Sequence, residues 1–344
     1  MIFRQLFEPV SCSYTYVLAS RRGGEAVIID PVLEKVDAYI ELFHRLELRL
    51  VKAVDTHVHA DHITGLGALR DRTKCITVMG RESAVDTVSM RVADGDTIDI
   101  EGVRLEVIYT PGHTDDSYSF HLADRVFTGD TLLIRGTGRT DFQNGSPEAS
   151  YDSIFNKLLT LPDETLVYPA HDYKGETVST VAEERAFNPR LQISSKAEYA
   201  DIMNNLGLAD PKMMDVAVQA NVAIGKAQAG EGNDWGLTVD EARAQIGNLD
   251  VLLVDLREDA ERRKNGVIPG SIHVPYIDLE DQVVPSGALN QLAQSSGKHI
   301  VFYCAYGERS ALAVETARDS ALGDASHIMG GIDAWKKAHG PLQE

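Results

Sequence analysis

Cysteine is scarce in this 344-residue chain. Cys12, Cys75 and Cys304 are too few, and odd in number, for a disulfide framework. They fit a reducing compartment in which a reactive thiol stays reduced. Long apolar runs are also missing, since no stretch approaches the ~20 residues of a membrane helix. The opening Met1-Ile2-Phe3-Arg4-Gln5-Leu6-Phe7 lacks the longer apolar core and cleavage site of a signal peptide. A cytoplasmic protein is expected. Basic charge is short as well: 33 Lys and Arg against 52 Asp and Glu give a net charge of −19. That balance argues against nucleic acid, whose phosphates need a basic footprint, and against docking on an anionic membrane. A small anionic substrate remains compatible, because a pocket can be positive on an acidic protein.

What the chain does have is histidine and aspartate in close company. Thr56-His57-Val58-His59-Ala60-Asp61-His62 packs three imidazoles and a carboxylate into seven residues. These are side chains that first-row metals prefer at nitrogen/oxygen sites. The apolar run Leu50–Asp55 before it reads as a buried strand, and Gly65 and Gly67 follow, leading into a helix-like run. The cluster therefore sits on a loop at a strand end. His113 (in Pro111-Gly112-His113-Thr114), Asp130 (after Thr128-Gly129) and His171 (in Pro169-Ala170-His171-Asp172) follow at wide spacing. So many ligand types in strand-end positions point to a metal, whereas His44, His121 and His327 read as ordinary structural histidines.

The organisation is α/β. A hairpin over Tyr14–Ala19 and Glu25–Asp30, a helix over Val36–Leu48 and strands at 76–79, 97–100, 103–109, 117–121, 125–128 and 166–168 are expected. Ser146 and Pro147 open a helix running to Leu159. Residues 178–227 read as helical, without a ligand cluster. Length permits two cores. The polar stretch Gly230-Glu231-Gly232-Asn233-Asp234 marks a linker between residues 1–229 and 235–344. Beyond it, Thr238 with Glu241 forms a capping-box pattern for a helix over Val239–Ile246. Val251–Leu256 and His299–Tyr303 are strands, and Ser310–Asp319 is a helix.

Cys304-Ala305-Tyr306-Gly307-Glu308-Arg309-Ser310 joins the second of those strands to the helix. A tight loop there turns backbone N–H groups inward, and the helix start adds positive potential. Such a cradle stabilises a thiolate and the anion it attacks. Arg309 closes the loop, either supplying charge or bracing it. Cys12 and Cys75 have no comparable setting.

The His-x-His-x-Asp-His run with His113, Asp130 and His171 resembles the metallo-β-lactamase superfamily, an αβ/βα sandwich in which binuclear zinc hydrolysis is the commonest chemistry. The run Leu132-Leu133-Ile134-Arg135-Gly136-Thr137-Gly138-Arg139-Thr140-Asp141-Phe142 is similar to the persulfide dioxygenase branch. So are Tyr168–Tyr173, Glu183-Glu184-Arg185 and Asn188-Pro189-Arg190. The resemblance implies one ferrous iron per chain on His57, His113 and Asp130, the facial arrangement of non-haem iron oxygenases. His59, Asp61, His62 and His171 then become outer-shell groups, although they also stand as second-metal candidates. It further implies glutathione persulfide and O2 as substrates and sulfite and glutathione as products. Arg139 offers a fork for a glutathione carboxylate and Tyr173 a hydrogen bond, with Arg190 a weaker candidate whose alternative is a structural ion pair.

The Cys304 loop, with Asp255-Leu256-Arg257-Glu258 and Gly266–Pro275, resembles a rhodanese-like α/β domain with a parallel sheet. That implies sulfane sulfur transfer between thiosulfate and glutathione through a Cys304 persulfide, with Ala305, Tyr306, Gly307 and Glu308 lining the substrate. Phosphatases of the related fold place five residues between Cys and Arg; four stand here, and Glu308 adds charge that disfavours a dianion. The alternatives are a zinc thioester hydrolase resembling glyoxalase II with a rhodanese appendage, and a non-catalytic persulfide sensor or carrier. A homodimer is suggested by resemblance alone.

Overall fold

The computed structural model describes residues 1–344 except 209–212, 227, 229–234, 321, 324 and 344. The expected linker at 230–234 lies outside the described residues. Two compact units are present: Met1–Asp86 with Arg91–Ile224, and Thr87–Met90 with Gly225–Glu344. None of the described helices is long and apolar enough to cross a membrane.

The first unit contains two six-stranded sheets. In one, β1 (Ile2–Glu8), β2 (Ser13–Ala19), β3 (Glu25–Ile29), β4 (Arg49–Val54), β5 (Ile76–Gly80) and β6 (Met90–Val92) lie in sequence order. The first three are antiparallel, and β3, β4 and β5 are parallel. The other contains β7 (Thr97–Ile100), β8 (Val103–Tyr109), β9 (Tyr118–Leu122) and β10 (Arg125–Gly129), followed in sequence by a small hairpin of β11 (Leu132–Leu133) and β12 (Gly136–Thr137) outside the sheet. With β13 (Leu166–Pro169) and β14 (Ser179–Thr180) its order is β14-β13-β10-β9-β8-β7.

Aromatic rings bring the two sheets together. Phe3 and Tyr16 pack on Phe127 and Tyr168, with the Tyr16 and Phe127 centroids 4.9 Å apart. The Tyr16 hydroxyl donates to the Pro169 carbonyl at 2.6 Å, so its one polar atom is satisfied inside the sandwich. Helices Pro147–Asn156, Val181–Phe187 and Lys196–Asn204 bring Ile154, Val181, Tyr199 and Met203 to a core shared with Val126 and Val167. Ser146 caps the first of these by accepting from the Ala149 N–H at 3.2 Å. That helix ends at Asn156 rather than at Leu159, because Lys157 leaves helical geometry and a short 3₁₀ turn follows. The stretch 178–227 is not wholly helical, since Ser179 and Thr180 pair with β13.

The second unit is a parallel sheet. Its strands β15 (Gly236–Leu237), β16 (Val251–Asp255), β17 (Ile272–His273), β18 (His299–Tyr303) and β19 (Ala325–Ile328) run in the order β15-β19-β18-β16-β17. Trp335, with no exposed surface, anchors a core with Ile268, Val301, Ile328 and Ile332. Thr238 and Glu241 form the expected reciprocal cap. Asp255 and Arg257 are both fully buried and paired at 2.6 Å, and the Tyr303 hydroxyl donates to the same carboxylate at 2.8 Å. The central strands β16 and β18 both end at the edge where the cysteine loop begins, as ligand sites of open α/β sheets do.

Candidate metal centre and cysteine loop

Strand β4 delivers the loop 55–64, β10 delivers Asp130 and β13 delivers His171. His57, His113 and Asp130 are all buried, and one ligand atom from each lies within 4.8 Å of the others. The surrounding hydrogen bonds decide which imidazole nitrogens face one another. The Thr56 hydroxyl donates to Asp30 at 3.1 Å, so it accepts from His57 Nδ1 at 3.0 Å. The Arg139 carbonyl can only accept, so His113 Nδ1 donates to it at 2.7 Å. In each ring Nδ1 is thereby the donor, so the neutral form presents the Nε2 lone pair. Two imidazoles that can present Nε2 and one carboxylate fit a divalent transition metal.

The loop is crowded around this triad. A Cβ on Gly138 would stand 2.0 Å from the Asp130 carbonyl oxygen and 2.9 Å from the His113 ring. Gly112 has φ +144° and a Cβ there would meet Ser150 at 2.3 Å, so only glycine brings His113 this close to the Pro147–Asn156 helix.

The remaining members of the His/Asp set are engaged with carboxylates. His171 donates from Nδ1 to Asp130 at 2.8 Å and from Nε2 to Asp61 at 2.7 Å. Burial opposes its protonation, but those two carboxylates override burial and raise its pKa well above the usual value. Conversely, burial would raise Asp130, and His171 brings it below the ordinary carboxylate range. His59 Nε2 lies 3.2 Å from Asp30, which overrides burial and pushes the ring up to about 9. His62 Nδ1 bonds Asp61 at 3.0 Å. Burial lowers the His57 and His62 pKa values, with neighbouring imidazoles adding to the effect. His59, Asp61 and His62 also have ligand atoms within 4.8 Å of one another, so a second cluster exists beside the first. Buried His59 Nδ1 and His62 Nε2 have no hydrogen-bond partner among the described residues.

A cavity of ≈ 260 Å³ opens onto His113, Asp130 and His171. Arg139, Tyr173 and Arg190 all line it. Their availability differs from the expectation. The Arg139 fork is already taken by Asp141, at 2.6 and 2.8 Å, and its guanidinium packs over Phe142. Arg190, expected as the weaker candidate, has no carboxylate partner among the described residues; it donates to the Thr137 carbonyl and hydroxyl. Burial lowers its pKa, and no neighbouring carboxylate offsets this. Tyr173 is 69% exposed at the rim, its ring parallel to that of His171. Thr114 acts in its own turn, donating to Asp116 at 2.7 Å.

Two further residues complete the site without a ligand-like sequence signal. Asp30, at the end of β3 and followed by Pro31, accepts from the Thr56 backbone and hydroxyl and faces His59. Asn221, in helix Met214–Val222, donates to the carbonyls of His59 and His62 at 2.9 Å each and accepts from the Thr64 N–H at 2.8 Å. An acidic strand end was the available clue for Asp30; Asn221 carries none.

In the second unit Cys304 is fully buried, and the Gly307 N–H points at its sulfur from 3.2 Å. The following helix, Glu308–Asp319, starts two residues earlier than the sequence pattern suggests. Arg309 braces the loop: both terminal nitrogens bond Glu261, at 2.7 and 2.6 Å, and its charge is thereby committed. Burial would lower its pKa, but Glu261 more than offsets this. Glu308 is fully buried, with one carboxylate oxygen accepting from the Lys226 N–H at 3.1 Å. Its other carboxylate oxygen accepts from the Ser89 hydroxyl at 2.7 Å. Gln228 donates to the Tyr306 carbonyl at 2.8 Å and accepts from the Gly330 N–H at 2.7 Å, tying the loop to the β19 end. Ala305 is nearly buried, and Tyr306 is half-buried.

Fold and donor set together define a metallo-β-lactamase-type metal unit joined to a rhodanese-type cysteine unit. Residues 9–171 match the metallo-beta-lactamase superfamily and residues 238–338 the rhodanese-like domain. Human mitochondrial persulfide dioxygenase ETHE1 is 50% identical over 228 residues, which span 65% of this chain and 89% of that protein. The crystal structure of ETHE1 from Myxococcus xanthus is 52% identical and superposes with a TM-score of 0.64, over 66% of this chain and all of that one. A metallo-β-lactamase from Staphylococcus aureus, 21% identical with a TM-score of 0.62, shares the fold over 96% of this chain and 98% of that one. The chain belongs to the persulfide dioxygenase family, and it carries a rhodanese-like domain after the dioxygenase-like part.

Proposed function

We propose that this chain is a bifunctional enzyme of sulfane sulfur. In the first unit glutathione persulfide, O2 and water become glutathione and sulfite at one Fe(II) held by His57, His113 and Asp130. The observation that carries this reading is the fixed tautomer of His57 and His113, which presents two neutral nitrogens beside one carboxylate. Bound there, Fe(II) would supply joint binding of O2 and the soft persulfide sulfur and electron transfer between them. The protein's own contribution is orientation. Thr56 and the Arg139 carbonyl hold the imidazoles. His171 holds Asp130, and its second bond to Asp61 keeps both of its nitrogens occupied. Arg190 is the cavity cation best placed by its pairing to take a glutathione carboxylate, with Tyr173 at the rim. Lys174, also lining the cavity, adds positive charge to a protein that is otherwise acidic.

In the second unit Cys304 attacks a sulfane sulfur. The thiolate and thiosulfate give a Cys304 persulfide and sulfite, and glutathione thiolate then removes the outer sulfur as glutathione persulfide. Gly307 N–H supports the charge on the cysteine sulfur. Glutathione persulfide is the product of this unit and the substrate of the first, which gives the two activities a chemical reason to share a chain.

Metal content of protein purified without added metal, together with O2 uptake on glutathione persulfide, tests the first half. One iron per chain and O2 consumption are expected. Two tightly bound zinc ions with no O2 uptake, and hydrolysis of glutathione thioesters, would replace it with the hydrolase reading. Absence of steady-state turnover in both this and the thiosulfate assay would leave a sensor or carrier.

A further inference from the structure

His327, on β19, reads from sequence as an ordinary structural histidine, yet it lies beside the cysteine loop with no exposed surface. Its Nε2 is 3.2 Å from the Gln228 backbone carbonyl, which can only accept. The ring therefore carries a proton on Nε2, and burial lowers its pKa, so the neutral form leaves Nδ1 as an acceptor. That nitrogen is 3.2 Å from the Ser310 hydroxyl oxygen. The same hydroxyl is 3.6 Å from Cys304 Sγ and 3.0 Å from the Gly307 carbonyl. Ser310 is itself fully buried, so no water satisfies it. One hydroxyl hydrogen thus faces three acceptors.

We propose that His327 is a positioning residue for sulfur transfer, acting through Ser310 as the alternative acceptor for the hydrogen that Ser310 turns toward the Cys304 thiolate. The inference rests on the sulfurtransferase reading of this loop. When the thiolate attacks a sulfane sulfur, the Sγ–S bond forms, the donor's S–S bond breaks and the leaving group carries its electron pair away. Charge leaves Sγ for the outer sulfur. The Ser310 hydrogen then has a weaker partner at Sγ and rotates to His327 Nδ1. Discharge runs the rotation backwards, because Sγ becomes the leaving thiolate. No bond at Ser310 or His327 breaks in either direction. One neutral hydrogen bond of ~1 kcal/mol corresponds to about fivefold in an equilibrium constant.

The test uses the full chain equilibrated at a fixed thiosulfate-to-sulfite ratio, with the persulfide fraction on Cys304 read by intact mass. His327→Phe removes one competing acceptor and leaves only the Gly307 carbonyl, which lies in the helix's own first turn, so loading is expected to fall by up to about fivefold. Ser310→Ala removes the thiolate's donor, and loading is expected to rise by a similar factor. In the Ser310→Ala background, His327→Phe is expected to change nothing further. With Ser310 intact, His327→Asn, which keeps an acceptor where Phe has none, is expected to hold loading within about twofold of wild type. Equal effects of His327→Phe in both backgrounds, or none in either, would overturn the inference. On the wild-type chain, which needs no variant to fold, the nitrogen NMR signal of His327 Nδ1 is expected to move on loading; an unmoved signal is a refutation. Wild-type protein that takes no sulfur from thiosulfate or from glutathione persulfide would instead overturn the sulfurtransferase reading itself.

Discussion

Replacing Asn221 by Ala tests how the metal loop is held. Asn221 is 2% exposed, and all three of its hydrogen bonds go to the backbone of residues 59–64. Each bond is worth ~1 kcal/mol net, and the Thr64 N–H, also buried, loses its hydrogen-bond partner outright. The sum is about 3 kcal/mol of local stability, with the Thr64 donor's desolvation able to add ~1 kcal/mol. In hydrogen exchange followed by mass spectrometry, the peptide covering 57–66 should exchange about a hundredfold faster in Asn221→Ala if it opens locally. Metal binding must then order a looser loop, so affinity in a chelator competition should fall about 10–100-fold, as for other groups that orient ligands. Asn221→Asp is a sharper variant. It keeps the acceptor for Thr64 but turns an oxygen toward the two histidine carbonyls, so it should be at least as damaging despite its matching shape. An Ala variant with unchanged exchange and metal affinity within about twofold would refute the reasoning, as would an Asp variant that behaves like wild type.

Four other outcomes follow from the two sites. Cys304→Ser should abolish thiosulfate sulfur transfer while O2 uptake on supplied glutathione persulfide continues; surviving transfer would mean another nucleophile. His113→Ala should lose the metal and the dioxygenase activity and spare Cys304 chemistry, so full metal occupancy in that variant would show the ligand assignment to be wrong. Arg190→Met should raise KM for glutathione persulfide about 10–100-fold, the worth of a charged hydrogen bond at ~1.5–3 kcal/mol, with kcat changed less; an unchanged KM would remove Arg190 from the substrate site. Arg257→Met removes the bidentate partner of buried Asp255 and leaves it Arg262 at 3.3 Å and the Tyr303 hydroxyl, so the stability of the rhodanese-like unit should fall by about 1.5–3 kcal/mol, measured by urea unfolding; a loss under ~0.5 kcal/mol would mean that Arg262 and Tyr303 suffice to hold the carboxylate.

Local sequence pattern was legible where one segment satisfies its own rule. The β2–β3 hairpin, the alternation along β8 and the Thr238–Glu241 cap follow from spacing within a few residues. Short elements such as β15, β17 and the helix Asp259–Asn265 carry too few residues for a period to show. Ligand types were equally legible, since a His/Asp cluster on a strand-end loop has few other uses.

Pairing was not legible, because it depends on where side chains end up in space, whether the partner is two residues away or forty-eight. Arg139 and Arg190 are indistinguishable as letters, and the fold gives the first a carboxylate and leaves the second without one among the described residues. Arg309 looks free in its loop until Glu261, 48 residues away, takes both its terminal nitrogens. Thus the sequence by itself determined two α/β domain types, the candidate metal-binding side chains and the cysteine loop, which are written in short local motifs. Only the tertiary structure decided which nitrogen of His57 and His113 is bare, which arginine is available and what braces each loop. Those properties reside in hydrogen bonds to Asp30, the Arg139 carbonyl, Asp141 and Glu261 and in those made by Asn221 and Gln228, and a hydrogen bond is set by the position of its partner in space.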